Sequence, residues 1–301
     1  MRPKAIVLLL TLVFFSGLCS GSQAAEPVQV TVSIPPQAYF VNRLAKDLVR
    51  VSVMVPGGAS PATYEPKPTQ MTALARSTLY FAIGVPFEKA WLKKFARINP
   101  HMRMIHTDQG IQKRKLGHHP QKSAPEPRSH GQNSSTGCGT DPHIWLSPPL
   151  VKQIARTMTE ALIQVDPDRK KQYQQNLKAF IRELDRLDQR IQKILDINSR
   201  SRSEILVFHP SWGYFLDRYG LKQVSIEIEG KSPSAMEMVK LIRHVRRLGV
   251  NRIFVQPQFS KRSAEAMARQ IGAKVVIVDP LSEDWSKNLL EVATAFSRAL
   301  K

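Results

Sequence analysis

Residues 166–196 read DPDRKKQYQQNLKAFIRELDRLDQRIQKILD. Their apolar side chains fall at Tyr173, Leu177, Phe180, Leu184, Leu187, Ile191 and Ile194, in steps of 4, 3, 4, 3, 4 and 3. That spacing marks one face of a long helix. Asp166 followed by Pro167 supplies an N-cap and first-turn pair. A helix over 167–196 would be a rod of roughly 45 Å at 1.5 Å per residue. The 3.5-residue period also suits a coiled coil. The stripe, however, lasts barely four heptads and is flanked on both sides by mixed β and α patterns. A rod packed along two lobes accounts for it more simply.

Outward from this rod, β-rich runs occur at 28–34, 51–55, 79–83 and 102–106, separated by helical patterns near 38–48, 68–76 and 86–98. On the far side, runs at 204–208, 224–228, 252–255 and 274–278 alternate with helical patterns at 211–219, 233–248, 261–271 and 286–300. Such alternation predicts an α/β fold with parallel sheets covered on both faces. The expected organisation is a leader at 1–24, a first βα-built lobe at 25–165, a connecting helix at 166–198 and a second lobe at 199–301.

The leader is read from Met1-Arg2-Pro3-Lys4, an apolar run over 5–18, and Ser22 and Ala24 in a small-x-small pattern. That order of charge, apolar core and small residues is a secretory signal, with cleavage after Ala24. Lipidation at Cys19 is the weaker alternative, because Leu18 suits it poorly. No later stretch approaches the roughly 20 apolar residues a membrane span needs, so the expectation is a soluble exported protein. Cys138 would then be the sole cysteine, which excludes an internal disulfide and reads as a loop thiol rather than a metal ligand. The formal net charge is +20, which invites acidic partners. The densest basic spots, Lys113-Arg114-Lys115 and 243–247, lack the interleaved aromatics that stack on bases. Together with the export signal this argues against nucleic acid.

Three stretches pair a metal-capable side chain with a proline and an apolar run: Thr140-Asp141-Pro142-His143-Ile144-Trp145, Phe208-His209-Pro210-Ser211-Trp212 and Val278-Asp279-Pro280-Leu281. His209 and Asp279 each follow a predicted strand, at the carboxyl edge where open α/β sheets bind ligands. Imidazole and carboxylate donors suit Zn²⁺, with Mn²⁺ and Fe²⁺ as alternatives. Taken together, the motifs resemble those of the periplasmic zinc- and manganese-binding proteins that serve ABC importers. The resemblance spans nearly the whole chain after residue 26. It implies two lobes on a rigid helix, metal ligands at His143, His209 and Asp279, and delivery of a divalent ion to an integral-membrane ABC permease. It also implies a periplasmic, non-enzymatic, monomeric protein. Two imidazoles and one carboxylate tilt the choice toward zinc.

One position departs from the resemblance. In Pro56-Gly57-Gly58-Ala59-Ser60-Pro61-Ala62-Thr63-Tyr64-Glu65-Pro66, Ala62 stands where the family usually carries a histidine. The fourth donor is then a water, Glu65, or one of His118, His119 and His130; a water-completed site is the favoured expectation. Gln256 stands where some relatives carry Glu and reads as a hydrogen bonder to the site. Segment 107–140, too long for an ordinary connection, reads as a mobile, solvated loop, poor in acids and dispensable over 112–136. A zinc hydrolase is the alternative from another class, but no His-Glu-x-x-His pair or similar metal-base motif is present, and Glu65 and Glu227 are its only nameable bases. An adhesin on the same fold would share every motif.

Overall fold

Val28–Val32 (β1) lies inside the first sheet, and the chain leaves it first to one side and then to the other. The computed structural model describes residues 26–116, 139–196, 203–227 and 234–301. The expected leader, His118, His119, His130 and Cys138 lie outside the described residues. β1 pairs in parallel with Val49–Val53 (β2) and with Leu79–Ala82 (β3), and Arg103–His106 (β4) closes the far edge, giving the order β2-β1-β3-β4. The second sheet repeats the plan. Glu204–Val207 (β5) sits between Lys222–Ser225 (β6) and Arg252–Val255 (β7), with Lys274–Ile277 (β8) outermost, all parallel, in the order β6-β5-β7-β8. The central strands are mostly apolar because both faces are covered; all four residues of β3 and the last three of β1 and of β5 are buried. In each sheet the strand order reverses beside the first strand, and this leaves a crevice at the carboxyl edge.

The first lobe's helices are Pro35–Ala45 (α1), Pro68–Ala75 (α2), Pro86–Ile98 (α3) and Pro148–Val165 (α4). Each begins with proline, whose fixed φ and missing N–H suit a first turn. α4 was absent from the sequence reading. Its signals were present: Ser147-Pro148-Pro149 at the start, then buried Val151, Ile154, Ala155, Met158 and Leu162 along one face. The second lobe adds Gly213–Arg218 (α6), Ala235–Leu248 (α7), Lys261–Ile271 (α8) and Trp285–Leu300 (α9).

The long helix, Lys170–Ile194 (α5), has 25 residues and follows a 3₁₀ turn at Pro167–Arg169. Its expected stripe faces inward: Tyr173, Phe180, Leu184, Leu187 and Ile191 are buried, and Leu177 and Ile194 are packed at the margin. Asp166 does not cap the backbone as expected. Its Oδ2 instead accepts from Arg169 Nη1 at 2.8 Å and from the Tyr173 hydroxyl at 2.7 Å. α5 packs on α1 and α4 of the first lobe and on α9 of the second. Asn176 Nδ2 donates to the Leu44 carbonyl on α1 at 2.9 Å. Asp188 holds Arg218 through two hydrogen bonds (3.0 and 2.6 Å) and the Tyr219 hydroxyl at 2.9 Å, just beyond α6.

One core therefore runs through both lobes. It passes from Val32, Phe40 and Phe81 through Phe180 and Trp285 to Trp212, Phe254 and Phe296. Phe40 meets Trp285 edge-to-face at 5.0 Å, and Phe254 meets Phe296 likewise at 4.6 Å. A second cluster, with Leu206, Leu241, Val245 and Ile253, fills the outer face of the second sheet. Lobes that share a core cannot swing apart without exposing it. Ile191→Val, which removes one methylene from the rod's buried face, is expected to lower the unfolding free energy by about 0.5–1.5 kcal/mol. Calorimetry should still record one transition; two separate transitions would mean that the lobes unfold independently.

Candidate metal centre

His143 opens the 3₁₀ turn Ile144–Leu146 and is held by the residue two before it. Asp141 Oδ1 accepts from the His143 amide at 3.0 Å and lies 2.7 Å from His143 Nδ1. This is the turn that an Asp before Pro favours. Asp141 is 1% exposed and His143 9%. Burial lowers the pKa of His143, against the opposing pull of Asp141. A carboxylate at Nδ1 fixes the tautomer with the proton there and leaves the Nε2 lone pair outward.

His209 follows β5, at the crevice of the second sheet. Its Nδ1 lies 2.5 Å from Glu227 Oε2, so the same tautomer argument applies. Gln256, following β7 across the crevice, is buried; its Nε2 donates to the His209 carbonyl at 2.9 Å and to Ser211 Oγ at 2.7 Å. It is a hydrogen bonder behind the histidine, as the sequence suggested. The His143 and His209 rings stand edge-on with centroids 5.4 Å apart, although they come from different lobes. Trp145 lies 5.1 Å from the His143 ring, and Phe259 lies 5.4 Å from the His209 ring. The two aromatics wall in the pair.

Asp279 is placed differently. Its Oδ1 accepts from the Leu281 amide at 2.9 Å and from Gln258 Nε2 at 3.1 Å. Its carbonyl accepts from Asn288 Nδ2 at 2.7 Å. Among the described residues, Oδ2 carries no hydrogen bond, and no three His, Cys, Asp or Glu side chains form a cluster that could hold an ion. The structure thus brings the two histidines together and leaves Asp279 folded into its own turn. Ala62 lines the same cleft, in a turn where its amide donates to Ser60 Oγ at 3.3 Å; Glu65 does not line it.

The segment read as mobile over 107–140 is ordered at both described ends. Thr107 Oγ1 donates to the Ala82 carbonyl at 2.7 Å, and Ile111 is buried. Lys115 bridges Thr140 in antiparallel fashion, with the Leu116 amide donating to Gly139 and the Asp141 amide to Arg114. This stalk rests on the second lobe. Arg114 Nη1 lies 3.1 Å from Asp217 Oδ2, and the Arg114 amide donates to the Tyr214 hydroxyl at 2.9 Å. Gly213 leaves room for the guanidinium, since a Cβ there would stand 1.9 Å from Arg114 Nη1. Residues 112–116 are therefore part of the anchorage, so the expectation that 112–136 as a whole is a solvated loop does not hold for its first five residues.

The sequence did not give Asp141 and Glu227 as partners of the two histidines: Asp141 entered only as part of its motif, and Glu227 only as a nameable base of the hydrolase alternative. Asp141 had a signal in its place two residues before His143; Glu227, 18 residues from His209, had none.

Over residues 30–299 the chain matches the family described as "Zinc-uptake complex component A periplasmic". It is 30% identical over 293 residues to a putative metal-binding protein of Chlamydia trachomatis, covering 96% of this chain and 99% of that protein. It is 25% identical over 269 residues to the high-affinity zinc uptake system protein ZnuA of Bacillus subtilis, covering 87% and 81% of the two chains. A crystal structure of ZnuA superposes with a TM-score of 0.81 at 42% identity, covering 91% of this chain and all of that one. A ZnuA deletion mutant with zinc bound gives a TM-score of 0.81 at 43% identity, covering 91% and 98%.

Proposed function

The chain belongs to the family of periplasmic A components of zinc-uptake complexes, and on that premise we propose that it captures a zinc ion between its lobes and delivers it to an ABC permease. The observation that carries the site is the His143–His209 pair, each Nδ1 on a carboxylate and each Nε2 without a hydrogen bond among the described residues. Neutral imidazoles presenting Nε2 are good donors for Zn²⁺, and for Mn²⁺ or Fe²⁺ less selectively. Asp279 joins as third ligand through Oδ2 when the ion arrives. The protein acts as a monomeric carrier and performs no catalysis. Residues 1–24 serve as its export leader, and 25–165, 166–198 and 199–301 are first lobe, connecting helix and second lobe. The ZnuA deletion mutant with zinc bound supports zinc as the cargo. Among the described residues no helix is long and apolar enough to cross a membrane.

Metal analysis of protein purified without chelator or metal-affinity resin tests this reading. One zinc per chain is expected, retained through gel filtration. A protein that takes up no divalent ion in subsequent titration would sink it.

Three substitutions refine the site. Glu227→Gln weakens the acceptor that orients His209, and outer partners of this kind are worth roughly 10–100-fold in metal affinity; an unchanged affinity would make Glu227 a bystander. Deleting 117–138, which spares the stalk, should leave zinc affinity within about tenfold, or 1.4 kcal/mol. A larger loss would assign a ligand to His118, His119 or His130. Ala62→His should tighten zinc binding about tenfold or more, since it adds a nitrogen donor on a turn that already lines the cleft. Competition against a calibrated zinc chelator reads all three.

A further inference from the structure

The basic run Lys113-Arg114-Lys115 stands apart from the metal ligands in sequence, and its three members go separate ways. Lys113 pairs with Asp108 in the cleft. Lys115 forms the backbone bridge to Thr140. Arg114 turns onto the second lobe, with its side chain only 21% exposed.

Three groups surround the guanidinium. Its Nε lies 3.8 Å from Asp141 Oδ2, its Nη1 lies 3.1 Å from Asp217 Oδ2, and its central carbon stands 5.8 Å from the centre of the Tyr214 ring. The seat exists because residue 213 is glycine. A Cβ there would stand 1.9 Å from Arg114 Nη1 and 2.9 Å from Asp141 Oδ2. Gly213 begins α6, four residues after His209, and Asp141 comes two residues before His143. The guanidinium therefore sits between the two segments that deliver the histidines.

Asp141 gives this seat its consequence. Its Oδ1 is taken up by the amide and the ring of His143. Its Oδ2 is buried and has no hydrogen bond among the described residues. A buried anion with an unbonded oxygen is costly unless a cation stands beside it. Arg114 is the cation that stands beside Oδ2. Asp217, the other acid at the guanidinium, is 59% exposed, and ion pairs so open to solvent contribute little.

We infer that Arg114 is a positioning residue of the metal centre, acting on His143 through Asp141. The inference rests on the zinc-carrier reading and adds to it the residue that readies one of the two imidazoles. With the guanidinium in place, the Asp141 carboxylate stays buried, keeps Oδ1 on Nδ1 and leaves the Nε2 lone pair available. Without it, the carboxylate swings toward water, Nδ1 loses its acceptor, and the ring exchanges between tautomers. The zinc-binding form then becomes a fraction of the population, and the apparent affinity falls by that fraction.

Two readouts at one fixed pH test this: the ring-nitrogen NMR signals of His143 in the metal-free protein, assigned against His143→Ala, and zinc affinity by chelator competition. The wild type should show a protonated Nδ1 and an unprotonated Nε2. Arg114→Gln should average the two nitrogens and weaken zinc binding about three- to tenfold. That lies at or below the lower end of the roughly 10–100-fold that direct partners of a ligand histidine are worth, because Arg114 acts one residue further back. Arg114→Lys keeps the cation and should restore most of both signals. Gly213→Ala should repeat the Gln result with Arg114 intact, since its Cβ displaces the guanidinium, and it carries the test if the Gln variant does not fold. In an Asp141→Asn background, Arg114→Gln should change nothing further, because its effect passes through the carboxylate. Unchanged tautomer and affinity in both Arg114→Gln and Gly213→Ala would overturn the proposal. So would an equal loss in the Asp141→Asn background, which would make Arg114 a brace for the fold alone. A wild type that binds no zinc would remove the carrier reading, while the tautomer in the metal-free protein would still decide the role of Arg114.

Discussion

Replacing His143 with alanine is expected to weaken zinc binding by roughly a hundred- to a thousandfold, and His209→Ala by a similar factor. Four-donor zinc sites bind with apparent free energies of about 10–16 kcal/mol, or roughly 3–4 kcal/mol per donor, and each tenfold step in affinity is about 1.4 kcal/mol. Neither substitution should disturb folding much. His143 is held by Asp141, which remains, and the aromatic walls are separate side chains. The losses should not add, because the rings stand 5.4 Å apart and share one ion; the double variant should be close to non-binding. Asp279→Asn is the control. Its Oδ1 contacts to Leu281 and Gln258 can persist, so the turn survives while the charge goes. A fall beyond tenfold would identify Asp279 as a ligand, and an unchanged affinity would remove it from the site. Competition with a zinc chelator, checked by circular dichroism for intact folding, measures all four. Wild-type affinity in both single histidine variants would end the assignment of the centre.

The sequence exposed the fold where a periodicity repeats and hid it where a structure depends on distant partners. The seven apolar positions of 173–194 showed the connecting rod, and the bounds of α3, β7 and α8 agree residue for residue with the pattern. α4 escaped notice because it follows the metal motif directly, and its Pro148-Pro149 start reads as the end of a loop until the apolar face beyond it is counted. The N-cap at Asp166 was plausible locally, but Tyr173 and Arg169 compete for the carboxylate in three dimensions. At the site, His143 and His209 were legible because proline-flanked turns fix them. Glu227 was not legible as their support. It lies at the end of another strand, and only the parallel pairing of β5 with β6 brings it to His209. The loop followed the same rule: its polar composition announced mobility, while the anchorage of 112–116 depends on α6, a hundred residues away.

Trp145→Ala is expected to damage both stability and the site, by about 3–5 kcal/mol in unfolding free energy. The indole is 1% exposed and bridges the lobes. Its Nε1 donates to the Pro280 carbonyl at 2.7 Å, while the backbone carbonyl of Trp145 accepts from Trp285 Nε1 at 2.8 Å. Trp285 in turn packs on Phe40, and Ser286 accepts from the Tyr39 hydroxyl at 3.0 Å. The indole therefore ties the His143 turn to the turn of Asp279 and Pro280, and it forms the wall beside the His143 ring. Trp145→Phe divides these roles. It keeps most of the apolar bulk but strands the buried Pro280 carbonyl, at a cost of about 1–3 kcal/mol. Urea denaturation should rank the wild type above Phe and Phe above Ala, with a constant slope so that the midpoints report stability alone. Below its transition, the Ala variant should still bind zinc more weakly than the Phe variant, because only Ala removes the wall that holds His143 in place. If folded Trp145→Ala bound zinc like the wild type, the aromatic wall would serve the core alone, and the orientation of His143 would rest entirely on the carboxylate of Asp141.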